Sequence, residues 1–272
     1  MQQDKIKINL SGVSETLLMP LWTRAKFSED RSSLFNDSKA IELVEKIDYD
    51  FSTHVKALHF DILREVVRAK RFDDKIKVHI VEHPRASIMN IGSGLDTTFY
   101  RVDNGTIHWY DLDLPAVIDI RRQLLPAPDR VTYIAKSLLD PSWFEDVTYT
   151  EDGVFMIAGG VLQFFEEAQV KQFFSMLADN FPDGEIVFDA IPKLSVFVAN
   201  WGLRKAGIPE ARFKWAVHDA KKMAQWDNRI KVIDQFPCFR NIPRNPMWSR
   251  RTKILVDFID KLKMVNIFHL QV

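Results

Sequence analysis

The largely apolar run Ile88-Met89-Asn90-Ile91 breaks into Gly92-Ser93-Gly94, and no other feature of the 272 residues constrains the fold so tightly. Apolar residues that give way to glycine read as a buried strand feeding a tight turn. Glycine lets backbone N–H groups approach a ligand, because no Cβ intrudes. About twenty residues on lies the acidic pair of Asp111-Leu112-Asp113. A carboxylate at the end of the following strand is placed to accept hydrogen bonds from a ribose diol. Taken alone, Gly92 and Gly94 equally suit a plain strand-to-helix turn. The third glycine of a dinucleotide fingerprint is missing, since position 97 is threonine. That argues against NAD or FAD and for a nucleoside cofactor without a pyrophosphate, such as S-adenosylmethionine.

The surrounding pattern is alternating. Strands are predicted at Ser87–Ile91, Ile107–Asp111, Val131–Ala135, Val154–Ala158 and Glu185–Ala190. Helices fall between them, one opened by Pro115 and one by Glu166-Glu167. Such alternation means an α/β fold whose parallel sheet is covered on both faces, with ligands beyond the carboxyl ends of the strands. The first 85 residues read as helical. Asp37 caps one helix, and Ser52 caps a second that carries Val55, Leu58, Ile62 and Val66. A third bears Phe72, Ile76 and Ile80 and stops near Pro84. After Pro192, helices are expected over Leu194–Lys205 and Asp219–Trp226. Strands follow at Ile230–Phe236 and Met264–Leu270, with a helix over Arg250–Leu262 between them. The expected organisation is one domain over 1–272: a helical cap at 1–85, a cofactor-binding core at 86–192, a helical insertion or lid at 193–228, and final strands at 229–272.

Composition excludes several classes. With 37 basic and 37 acidic residues the formal net charge is zero, so no field for a polyanion is indicated and nucleic acid is not an expected partner. Cys238 is the only cysteine, which rules out an internal disulfide and a thiolate metal cluster. No metal site is expected. The N-terminus lacks a secretion signal and no apolar run has the length of a membrane span, so a cytoplasmic location without a membrane partner is expected. Aromatic residues cluster in the second half, among them Phe164, Phe165, Phe173, Phe174, Phe197, Trp201, Phe213, Trp215 and Trp226. Core packing accounts for most of them; any on the cap would suit an aromatic or polyketide-like substrate.

The chain resembles the leucine carboxyl methyltransferase family, in particular its tetracenomycin-polyketide-synthesis O-methyltransferase branch. The likeness runs from Ser11 to about Phe236. It is carried by Gly12-Val13-Ser14-Glu15-Thr16, Arg24-Ala25, Ile47-Asp48-Tyr49-Asp50-Phe51, Gly92-Ser93-Gly94-Leu95-Asp96-Thr97, Asp111-Leu112-Asp113-Leu114-Pro115 and Phe188-Asp189-Ala190. The family implies a seven-stranded Rossmann-like methyltransferase sheet, an N-terminal helical cap, a helical insertion before the last strands, and S-adenosylmethionine as methyl donor. By residue, the resemblance implies that Arg68 takes the methionine carboxylate, with Arg24 a basic cap position near the same end. Gly92, Ser93 and Gly94 line the turn. Asp113 takes the ribose hydroxyls, with Asp111 a substitute, and Ser137-Leu138 lie beside the adenine. Departures stand at Ser137, where the family often has aspartate and where Asp140 is a nearby alternative, at Gly159, where it often has glutamate, and at Phe164, where it often has tyrosine. Gly159-Gly160 offers only backbone there.

Methyl transfer from a sulfonium needs chiefly orientation and exclusion of water. A carboxylate acceptor needs no base, whereas a hydroxyl benefits from one. No histidine dyad identifies a base: His54 and His218 stand without an evident partner. The expected activity is methylation of a hydroxyl or carboxyl group on a small molecule. The alternatives are a non-catalytic cofactor-binding protein and a methyltransferase of protein C-terminal carboxyls.

Overall fold

The computed structural model describes residues 5–8, 17–29, 34–51, 59–205, 212–245 and 248–272. The motif Gly12–Thr16, the Ser52 cap, His54, Val55 and Leu58 lie outside them. The elements are β1 (Ile6–Lys7), α1 (Leu18–Glu29), α2 (Ser38–Lys46), β2 (Ile47–Asp48), α3 (His59–Glu82), β3 (Ser87–Ile91), α4 (Phe99–Val102), β4 (His108–Asp113), α5 (Pro115–Leu124), β5 (Val131–Ala135), β6 (Val154–Ala158), α6 (Glu167–Asn180), β7 (Glu185–Ala190), α7 (Lys193–Lys205), β8 (Lys231–Pro237), α8 (Arg250–Lys261) and β9 (Asn266–Gln271).

Seven strands form one sheet in the order β5-β4-β3-β6-β7-β9-β8. The five from β5 to β7 are parallel, β9 is antiparallel to β7, and β8 is antiparallel to β9. Successive strands diverge in opposite directions from β3 and β6, so the crevice for a ligand opens at their carboxyl ends. Every residue of β3 and β6 is buried, as strands covered on both faces must be. The pleat sends Met89 and Ile91 to the face covered by Phe173, Phe174 and Leu177 of α6. Ile88 faces the other way, into a core with Val66, Val67 and Ile76 of α3 and Val256 and Ile259 of α8.

Apart from shifts at strand ends, sequence and structure part company at three places. The two helices expected between Ser52 and Pro84 are, where described, one helix of 24 residues. Leu63, Val66, Ala69, Phe72, Ile76 and Ile80 continue a single buried stripe with no glycine or proline to break it. Because that stripe packs against the sheet, α3 is a core layer. Second, the helix expected over Asp219–Trp226 is only a 3₁₀ turn, Ala220–Lys222. The Asp219 side chain accepts the Lys221 N–H and Gln235 Oε1 takes the Ala220 N–H, so the turn is capped at its start although it does not continue as a helix. Third, β1 and β2 pair in parallel, a small sheet absent from the sequence expectations.

α1 and α2 pack their own cluster, Leu18, Leu21, Ala25, Ala40 and Leu43, against Leu95 and Leu124. Asp37 fastens this cap to the rest. One carboxylate oxygen accepts the Ala40 N–H (2.9 Å) and caps α2. The other receives Arg24 Nε (3.1 Å), Thr97 Oγ1 (2.6 Å) and Arg101 Nη1 (2.7 Å). Arg101 continues to Asp73 of α3 through a two-pronged pair at 2.8 and 3.0 Å. The Asp37 side chain has no exposed surface, so truncation removes a shared carboxylate from two buried guanidinium groups. Asp37→Ala is expected to lower stability by about 3–5 kcal/mol in urea titrations. A loss below about 1 kcal/mol, the range of surface pairs, would contradict this role.

Candidate functional site

The turn after β3 is built from its neighbours. Gly92 and Gly94 adopt φ of 67° and 49°, backbone that favours glycine. A Cβ on Gly92 would stand 2.6 Å from a Val161 methyl carbon, so alanine would be both strained and crowded there. The N–H groups of Gly92 and Ser93 donate to the Leu112 carbonyl at 2.8 and 3.2 Å, docking the turn on the end of β4. Gly94 donates to Asp113 Oδ2 (2.7 Å), whose other oxygen accepts the Leu114 N–H (2.7 Å). Burial pushes the Asp113 carboxyl above its ordinary value despite these two donors. Ser93 Oγ is buried without a hydrogen-bond partner. A hydroxyl orphaned at this turn is a group that a polar ligand would satisfy.

Asp111 does something else. Its Oδ1 accepts Asn90 Nδ2 and Trp109 Nε1, each at 3.0 Å. Its Oδ2 accepts Arg121 Nη2 (2.6 Å) and Nε (3.1 Å). The remaining nitrogen, Arg121 Nη1, donates to the carbonyls of Gly94 (3.0 Å) and Asp96 (2.7 Å). Asp111 is fully buried, its oxygens are taken, and it braces the turn from beneath. Asp113, half-buried at the strand end, is the more accessible carboxylate of the pair.

Arg24 is likewise committed. Besides Asp37, it donates to the Leu95 carbonyl (3.0 Å) and approaches Asp96 Oδ1 (3.8 Å). Arg68 lies across the Gly159-Gly160 backbone, where a Cβ on Gly160 would meet Nη1 at 2.7 Å. It pairs with Glu65 (2.5 Å) and with Asp189 (3.4 Å). Asp189 Oδ1 also accepts the Gly160 N–H at 2.6 Å. A Cβ on Gly159 would stand 2.6 Å from the Phe72 ring, so packing from α3 accounts for glycine there.

Ser137 is half-buried, and its Oγ accepts the Leu139 N–H (3.2 Å). Leu138 is buried, and its carbonyl receives Trp143 Nε1 (3.2 Å). Asp140 caps the 3₁₀ turn Pro141–Asp146 through the Ser142 N–H, an engagement the sequence reading did not foresee. His218 is exposed.

Sequence reasoning missed Glu65 and Arg121 as parts of this edge, and it named Asp189 only within the motif Phe188-Asp189-Ala190, without a role. Glu65 precedes Arg68 by three residues, a spacing that places both on one helix face. Arg121 sits in the last turn of α5, where a cation ordinarily reads as a helix-end charge in solvent. A cavity of about 320 Å³ is lined by Asp37, Asp73, Tyr100 and Arg101, not by the turn residues, and so lies apart from this crevice. Among the described residues there is no cluster of His, Cys, Asp and Glu suited to a metal, and no helix long and apolar enough to cross a membrane.

Asp96 joins the turn to the cap. It accepts Asn90 Nδ2 (3.2 Å) and the Thr98 N–H (3.1 Å). Burial pushes its carboxyl up, but Arg24 and Arg101, with the hydrogen bond from Thr98, draw it down to about 2. A depressed folded-state pKa contributes stability that is complete above the unfolded value of ~3.9 and is lost as the pH falls through the folded value. Urea midpoints measured against pH are therefore expected to decline below about pH 4. Asp96→Asn is expected to flatten part of that acid limb. An acid limb identical in the variant would contradict the assignment.

Comparison with known proteins bears on the family and the fold. The model of a family described as leucine carboxyl methyltransferase matches residues 18–178, more than half of the chain. The tetracenomycin polyketide synthesis O-methyltransferase of Streptomyces glaucescens is 29% identical over 219 residues, 79% of either chain. An S-adenosyl-L-methionine-dependent methyltransferase of Gibberella zeae is 29% identical over 243 residues, 81% of this chain and 80% of its own. Among solved structures, a candidate methyltransferase from Thermobifida fusca superposes with a TM-score of 0.59 at 12% identity, covering 92% of this chain and 93% of that one. That last likeness concerns the fold.

Proposed function

The chain belongs to the leucine carboxyl methyltransferase family, a methyltransferase family that uses S-adenosylmethionine, and from that premise we propose that it methylates an oxygen of a small molecule. The observation that carries this is the crevice between the ends of β3 and β6, where the Gly92–Gly94 turn and the Asp113 carboxylate meet at the reversal of strand order. The Streptomyces relative, described as a polyketide O-methyltransferase, favours a polyketide-like acceptor with a hydroxyl or carboxyl group.

The residues present fit the cofactor. Ser93 Oγ is an orphaned polar atom at the turn, and Gly92 and Gly94 supply the left-handed backbone that the turn requires. In this reading Asp113 takes the ribose hydroxyls, exchanging its bond to the Gly94 N–H for them. Gly92, Ser93 and Gly94 lie along the methionine portion, and Ser137 and Leu138 lie beside the adenine. Arg68, held at the Gly159-Gly160 turn by Asp189, supplies the cation for the methionine carboxylate. Arg24 acts one layer away: it fixes the Leu95 carbonyl and Asp37 instead of reaching the cofactor. Asp111 serves as a buttress beneath the turn.

The bound cofactor supplies a methyl group already activated by its sulfonium. The chain's own part is to orient the acceptor and exclude water. The segment 193–228 is proposed as the cover over the methyl-donating end. Supporting this, Asn200 Nδ2 donates to the Phe213 carbonyl (2.9 Å), and the Phe213 N–H returns to Asn200 Oδ1 (2.8 Å). The Gln163 carbonyl then receives the Lys214 N–H (2.7 Å).

Calorimetric titration with S-adenosylhomocysteine tests the cofactor site. Asp113→Ala is expected to weaken binding about tenfold or more, the scale of hydrogen bonds to a charged acceptor. Unchanged affinity in the variant would refute the assignment. Transfer of labelled methyl to phenols and carboxylic acids, and none to a peptide with a free C-terminal carboxyl, supports the small-molecule reading. The reverse pattern overturns it.

A further inference from the structure

We propose that the outer faces of α7 and α8 form a docking surface for a bilayer containing anionic lipid. Among the described residues fifteen large hydrophobic side chains are exposed, and eight of them fall on these two helices and the residue that ends α8. Leu194, Phe197, Val198 and Trp201 recur along α7 at intervals of three and four, so they share one face. Phe197 is 74% exposed and Trp201 56%. On α8, Thr252, Val256 and Ile259 face the core, while Ile254, Leu255, Phe258 and the terminal Leu262 face out. Both helices thus present apolar outer surfaces, which a helix packed on a core has no internal reason to keep.

The charges around these faces choose the occupant. α7 contains no acidic residue and exposes Lys193 and Arg204. Arg250, Arg251, Lys261 and Lys263 are exposed along and just beyond α8, whose two acids, Asp257 and Asp260, both pair with Arg244. The whole chain is formally neutral, so this positive bias is local. Ser195 Oγ donates to the Met264 carbonyl (3.0 Å), tying the first turn of α7 to the segment that follows α8. Aromatic and aliphatic side chains rimmed by lysine and arginine on helix faces are the pattern that lies in a headgroup layer. A second copy suits it less, because an isologous contact would bring the same cations face to face. α7 also leaves β7 at the sheet edge that carries the Gly92 turn. Docking would bring that edge near apolar molecules dissolved in the leaflet. This consequence rests on the methyltransferase reading, whereas the docking itself does not.

Co-sedimentation of the full chain with phosphatidylcholine vesicles, with and without phosphatidylglycerol, tests the proposal. The chain is expected to pellet with the anionic vesicles and to be released by added salt. Lys261→Ala and Lys263→Ala should each weaken partitioning about five-fold. The double variant Phe197→Ser/Trp201→Ser should remain in the supernatant while its circular dichroism melt matches the parent. Failure of the parent to pellet overturns the proposal, as does a folded double variant that pellets like the parent. Sedimentation equilibrium without lipid gives another overturning result if it shows a dimer that the double variant dissolves, since that assigns the face to a second copy. Equally strong binding to soluble polyglutamate, undiminished in the double variant, assigns it to an acidic protein and also overturns it.

Discussion

The Asp111–Arg121 pair is the constraint on which the site depends. Its two members are almost wholly buried, and burying an ion pair costs desolvation that Coulomb attraction repays only if the remaining donors and acceptors are also used. Here they are used. Asn90 and Trp109 fill the second carboxylate oxygen, and the free prong of the guanidinium holds the carbonyls of Gly94 and Asp96. The outcome is a glycine turn whose backbone has little freedom left, although glycine is the residue with most freedom to lose. Preorganisation of this kind reduces the ordering cost of binding.

A second buried network transmits the turn's position to the cap. Thr97 and Arg101 leave the turn and end on Asp37, which is also the first hydrogen-bond acceptor of α2. The Leu95-Asp96-Thr97 part of the motif therefore has a packing role of its own. Leu95 enters the apolar cluster of the cap, Asp96 meets two arginines, and Thr97 reaches Asp37. The motif follows the cofactor turn in sequence because it joins that turn to the helices above it.

Strands buried on both faces were the most legible part of the chain. β3, β6 and β7 begin and end where their largely apolar runs do, because parallel strands covered on both faces are mostly apolar. β4 runs two residues past its expected end, since Leu112 and Asp113 still pair with β5. The site was legible as a place rather than as a set of roles. Asp111 and Asp113 are two positions apart on one strand, and sequence alone does not tell which of them Arg121 will claim from a helix ten residues on. Asp140 and Asp219 illustrate the same limit: each spends its carboxylate on a local N–H, an outcome settled by backbone geometry. Arg24 and Arg68 are legible as cations near the cofactor's end, but Asp37 and Asp189, which help to fix them, come from separate segments.

Arg121 holds the glycine turn in the form proposed to receive the cofactor. Arg121→Lys tests it most directly, because lysine keeps the charge opposite Asp111 but lacks the planar fork that reaches both carbonyls. Titration calorimetry with S-adenosylhomocysteine, on a variant whose urea transition shows a folded protein, is expected to give affinity about tenfold weaker than the parent. Parental affinity in a folded Arg121→Lys variant would contradict the account.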